Sequence, residues 1–145
     1  MYYTRFSKSE SRIFTSLSDD GINWLHSSEC EDLCGGNGFI YNPNAMKIAD
    51  GGIRMYFTER PYASSPLGAR VYSAISYDSI NWKRENGVRI GPGKAYDRHG
   101  IFNVDIVPIN SGYRMYYTGY WGRHLLEPLT LHYYRKKTKE AVSKK

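Results

Sequence analysis

Arg54-Met55-Tyr56-Phe57-Thr58 returns as Arg114-Met115-Tyr116-Tyr117-Thr118, and Met1-Tyr2-Tyr3-Thr4 is a third copy without the Arg. Met1, Met55 and Met115 are thus almost evenly spaced along the chain. A second phrase keeps the rhythm: Ser18-Asp19-Asp20-Gly21-Ile22-Asn23-Trp24 matches Ser76-Tyr77-Asp78-Ser79-Ile80-Asn81-Trp82, and the interval from Trp24 to Trp82 lies between the other two. Two unrelated phrases sharing one period mark an internal repeat.

Working outward from these phrases, the chain divides into short strands joined by turns. Residues 1–6, rich in β-formers, and Arg12 to Leu17 read as strands, and Asp19-Asp20-Gly21 is hairpin chemistry because Gly supplies the positive φ of a tight turn. Ile22 to Leu25 begins the return strand. After a Gly-rich loop closing at Gly38, strands are expected over residues 39–48, 53–58, 70–76 and 80–84. The last unit repeats the plan over Phe102 to Ile109 and Tyr113 to Tyr120, with a third strand over Leu129 to Tyr134. Pro43 and Pro108 fall inside first strands, where a missing N–H calls for a bulge or interrupted pairing. The division is a partial blade over 1–38, a full blade over 39–99, a partial blade over 100–134 and a basic, disordered tail over 135–145.

Composition agrees with an all-β chain of antiparallel four-stranded blades. The 145 residues suffice for one domain with a core, and 14 Tyr with 3 Trp and 5 Phe suit half-buried pleated surfaces. The net charge of +6 suggests nucleic acid until it is located. Residues 135–145 hold six Lys or Arg and one Glu, a net of +5, so residues 1–134 carry only +1. Such a run reads as a solvated tail, which argues against a nucleic-acid face. No apolar run reaches membrane-spanning length, and residues 1–6 read as a strand rather than a secretory signal, so the default location is the cytoplasm. Cys30 and Cys34, with His26, lack a fourth ligand, and the reading is reduced loop thiols with no metal and no cofactor.

Taken together, a strand with Asn42-Pro43, a turn, "RMYYTG", an S-x-D-G-x-x-W phrase and the connector Gly87-Val88-Arg89-Ile90 resemble the five-bladed β-propeller glycosidase superfamily, which includes the family 43 arabinanase and xylosidase type. The likeness runs through nearly all of residues 1–134 but supplies only about two and a half blades. Ser18-x-Asp20-Gly21-x-x-Trp24 also resembles the turn-stabilising Asp-box of sialidases, one residue short, which makes a sialidase-like propeller a minor alternative. A partial ring leaves edges and blade faces to be covered, by self-association or by a missing propeller half.

The resemblance implies a central pocket lined by the innermost strand of each blade and holding three acidic residues. Hydrolysis needs two carboxyl groups, one to protonate the leaving oxygen and one to activate water or attack the sugar. Where such enzymes commonly carry Asp before the Pro of an inner strand, this chain has Asn42, and its repeat partner is Asn103. Amides can bind hydroxyls but cannot act as base or nucleophile. The catalytic candidates are Asp105, on an inner strand, and Glu59, at a strand end before a loop, where an ion pair with Arg60 is its structural reading. Arg98, His99, Trp121, Arg123 and His124 flank the last unit as sugar-binding candidates, the Trp by stacking on a pyranose ring. Trp24 and Trp82 share one repeat position and read as wedges between blades. The expected partner is a carbohydrate or glycoside. The competing class is a non-catalytic interaction module retaining the propeller fold without its acids.

Overall fold

The computed structural model describes residues 1–34, 39–61, 68–121 and 141–142. Its elements are all strands, in three antiparallel groups, and no helix among the described residues is long and apolar enough to cross a membrane. The first group is β1 (Tyr2–Phe6), β2 (Ser11–Leu17) and β3 (Leu25–Glu29), with β2 in the middle. The second is a four-stranded meander of β4 (Phe39–Lys47), β5 (Ile53–Arg60), β6 (Arg70–Ser76) and β7 (Lys83–Arg84). The third pairs β8 (Gly100–Ile109) with β9 (Gly112–Tyr120), and β10 (Ala141–Val142) lies on the far side of β9. Adjacent groups share a parallel bridge at one repeat position, Ser11 beside Phe39 and Ala69 beside Gly100, and the first two groups share another between Glu31 and Asn81.

The groups stack face to face because a strand turns alternate side chains to opposite sides. Along β5, Met55 and Phe57 face the first group, where they pack with Ile13, Leu33, Ile40 and Trp82. Between them, Tyr56 faces the third group and joins Val71, Ile101, Val104, Ile106 and Tyr117. A sheet apolar on both faces must be covered on both, and stacked blades do this. The architecture is thus an all-β, incomplete five-bladed propeller with β4 and β8 as inner strands.

Trp82 fulfils the wedge role. It is 2% exposed and meets the Tyr2 ring of the preceding blade edge-on at 5.7 Å. Its repeat partner Trp24 is 42% exposed, because its face of the first blade has no described blade against it.

The repeated S-x-D phrase is a turn device in both copies. Asp20 Oδ1 accepts N–H bonds from Ile22 and Asn23, both at 2.8 Å, and its Oδ2 accepts the Asn23 amide at 2.7 Å. Asp78 does the same with Ile80 and Asn81. The residues after each Asp thereby spend their N–H groups on the carboxylate, so the return strands begin at Leu25 and Lys83, later than the expected Ile22 and Ile80. Backbone and side-chain bonds from Asn23 and Ile22 hold the Asp20 carboxyl well below the ordinary range, and bonds from Asn81 and Ile80 do so for Asp78. A lowered folded pKa stabilises the fold above the unfolded value of about 3.9 and is lost as pH falls below it. Acid unfolding below about pH 4 should therefore be less steep in Asp20→Asn/Asp78→Asn than in the wild type. Identical profiles would remove both carboxylates from the acid response.

The first two groups have the expected three and four strands, while two details of the last group differ. The bulge in β8 falls between Phe102 and Asp105, not at Pro108, which pairs in register with Tyr113. As β8 is an edge of its sheet, a proline there need not donate to the ladder. The expected strand over residues 129–134 lies outside the described residues, and the third strand described, β10, belongs to the basic stretch.

Candidate functional site

The inner strands carry matching irregularities. The β4–β5 register shifts between Tyr41 and Asn44, and the β8–β9 register between Phe102 and Asp105. At the two bulges Asn42 and Asn103 take positive φ, 55° and 47°. Asn tolerates this left-handed conformation better than most residues, which gives both amides a backbone role at the bulge. The bulge also frees the Asn42 N–H from the ladder, and it donates to Thr4 Oγ1 of the first blade at 3.2 Å. Just beyond, the inner strands meet: the Asn44 amide donates to Asp105 Oδ1 at 2.7 Å. Asp105 is exposed, and it is the one carboxylate in β4 and β8.

Glu59 sits elsewhere. Alternation sends it to the face of β5 that also bears Phe57, where the Arg84 guanidinium binds its Oε2. Arg84 in turn lies 4.0 Å above the Tyr72 ring. Adjacent residues of a strand point to opposite sides, so the expected Glu59–Arg60 pair does not form. Arg60 faces the third blade. Its guanidinium carbon lies 4.8 Å from the Phe39 ring centre and 5.7 Å from that of Tyr41.

Around Arg60 an aromatic row crosses the end at which the inner strands begin. Phe6 lies 6.3 Å from Tyr41, Tyr41 stacks on Phe102 at 6.0 Å, and Phe102 meets Tyr120 edge-on at 6.3 Å. His99 closes the row 6.1 Å from Tyr120. Tyr41 and Phe102 are repeat partners, so successive blades present one ring each. Burial pushes the Tyr41 phenol up, against a smaller opposing pull from Arg60. The Tyr41 hydroxyl, Thr58 Oγ1, Arg60 Nε and His99 Nδ1 are buried without a hydrogen-bond partner among the described residues. Trp121 (58% exposed) and Arg98 are open to solvent beside this end, while Arg123 and His124 lie outside the described residues.

The loop entering β8 is fixed by a residue the sequence did not single out. Asp97, 2% exposed, accepts N–H bonds from Gly93 at 3.0 Å and Lys94 at 2.6 Å through Oδ1. Its Oδ2 accepts the Tyr117 hydroxyl at 3.0 Å. The loop packs so closely on β9 that a Cβ on Gly119 would meet Tyr96 O at 2.7 Å. Arg60 and Tyr41 were also missed, although alternation along residues 58–60 could have separated Arg60 from Glu59. Cys30 is buried in the first core, and burial pushes its thiol up to about 11. His26 is exposed, and no group of three His, Cys, Asp or Glu among the described residues could hold a metal ion.

No curated protein sequence matches the chain. Among solved structures, one titled "Glycoside hydrolase" superposes with a TM-score of 0.58 at 19% identity over 74% of this chain. An N-acetylgalactosamine deacetylase from F. plautii, solved in complex with blood group B trisaccharide, gives 0.60 at 18% identity over the same share. The chain spans 31% of each of these structures, and at such identity they speak for the fold alone. The sequence itself goes further, since the model described as "Glycosyl hydrolases family 32 N-terminal domain" matches residues 35–144. The superfamily-level resemblance therefore holds with family 32 as the matching family, and the chain belongs to the glycosyl hydrolases family 32 N-terminal domain family.

Proposed function

We propose that this propeller domain binds carbohydrate at the aromatic end of its inner strands and contributes Asp105 to glycoside hydrolysis. The observation that carries the reading is the placement of Asp105, exposed on an inner strand and oriented by the Asn44 amide at 2.7 Å. A carboxylate held by a neutral amide keeps one oxygen occupied and offers the other to water or to a sugar hydroxyl. Asp105 would serve as base or orienting acid, and the second carboxyl must come from outside β4 and β8, which carry no other. Glu59 fills that role only by leaving Arg84.

This scarcity of acids supports the second reading, a non-catalytic binding or interaction module. A screen of aryl glycosides, arabinosides and xylosides of the family 43 type among them, separates the two. Asp105→Asn should lower turnover about 10²- to 10⁴-fold, the usual contribution of a general acid or base. Equal rates would remove Asp105 from any mechanism, and no turnover by the wild type would favour the binding module. The exposed Trp24 face is where a further blade would pack, and solution mass reads whether a second copy fills it.

A further inference from the structure

Three half-buried arginines are neutralised by ion pairs. Arg12 meets Glu10 and Glu29, Arg54 meets Glu85, and Arg84 meets Glu59. Arg60 has no carboxylate among the described residues, although it is half-buried and its Nε is shielded from solvent without a partner. Its contacts with the Phe39 and Tyr41 rings offset part of the cost of burial but satisfy none of its N–H donors. Beside it, in cross-strand register, lie Tyr41 and Thr58, whose buried hydroxyls also lack partners. Two carboxylates of the third blade and the loop entering it are engaged: Asp105 accepts from Asn44, and Asp97 from the 93–94 backbone and Tyr117. Arg60 is thus a half-buried cation with no carboxylate to match it among the described residues.

We propose that the Arg60 guanidinium forms a subsite for the carboxylate of a uronic acid residue, which rests on the carbohydrate-binding reading above and narrows it to acidic glycans. A planar carboxylate matches the two-pronged donor face of a guanidinium. The Phe102 and Tyr120 rings next to it offer apolar surface to the C–H face of the sugar ring. A neutral sugar would leave the guanidinium buried and unanswered.

The test is calorimetric titration with matched pairs, trigalacturonate against its carboxyl-reduced neutral twin and a glucuronate trisaccharide against the glucose form, plus a sulfated neutral trisaccharide. At least one uronate should bind about ten- to a hundredfold tighter than its neutral twin, the range of one charge-assisted contact. Arg60→Gln should bring that uronate down to the level of its twin and leave the twin unchanged. Arg60→Lys, which keeps the charge without the fork, should fall between. Should acid and neutral twins bind equally, the uronate subsite is wrong while carbohydrate binding stands. If only the sulfated sugar binds tightly, the carboxylate assignment is overturned. Absence of binding by every sugar overturns both. A folded Arg60→Gln, checked by thermal unfolding, that weakens acid and neutral sugars alike also sinks the proposal.

Discussion

Phe57→Ala should cost about 3–5 kcal/mol of unfolding free energy, the usual range for emptying a buried Phe site. Phe57 is fully buried in the middle of β5 and stacks on Tyr72 at 6.4 Å. Its ring belongs to the cluster that joins the first and second blades, with Ile13 and Leu33 on one side and Met55 and Trp82 on the other. Neither blade can collapse into the vacancy without breaking its own ladder, so the cavity term should add to the lost transfer energy. A domain of this size has roughly 5–15 kcal/mol in all, and the loss corresponds to a melting temperature lower by about 10 °C or more. Urea unfolding followed by Trp fluorescence measures it, since Trp82 sits in the same cluster. Phe57→Leu, which keeps most of the volume, should lose about 1.5 kcal/mol or less. A loss below about 1 kcal/mol for the alanine variant would mean that the blades do not bury this face against each other.

Asp97→Ala should cost about 3 kcal/mol, by a different route. Its carboxylate answers two part-buried backbone N–H groups and the buried Tyr117 hydroxyl, and truncation takes the acceptor from all three. Burial, with Tyr96 and Asp97 as hydrogen-bond partners, pushes the Tyr117 phenol up. Asp97→Asn keeps one acceptor oxygen for the backbone and should lose less than half as much. Hydrogen exchange distinguishes the effect from general destabilisation: the Gly93 and Lys94 amides should lose protection before those of β5. Unchanged protection at both amides in the alanine variant would show that the loop is held by something else.

Much of this organisation is legible in the residues. The repeat aligned Tyr41 with Phe102 and Asn42 with Asn103, and the structure puts both pairs at equivalent bulges. The phrases around Met55 and Met115 became central strands because every second residue in them is apolar. What stayed hidden depends on direction and on distant partners. Glu59 and Arg60 are adjacent and of opposite charge, yet the pleat separates them, and Arg84 reaches Glu59 only once β6 and β7 have folded back beside β5. The late start of β3 and β7 follows from carboxylates capturing backbone donors, a competition that periodicity does not register. Asp97 reads as one more polar loop residue until Tyr117 is brought to it from 20 positions along the chain.

The repeated parallel bridges at Ser11 and Ala69 have a further consequence. The stretch from Ser11 to Phe39 and the longer one from Ala69 to Gly100 differ in length, yet both leave and rejoin the sheets at the same stations. The variable length is absorbed in the excursion between stations, beside the end where the aromatic row lies. Such a layout lets insertions and deletions reshape the surface there while the hand-over from one blade to the next is preserved.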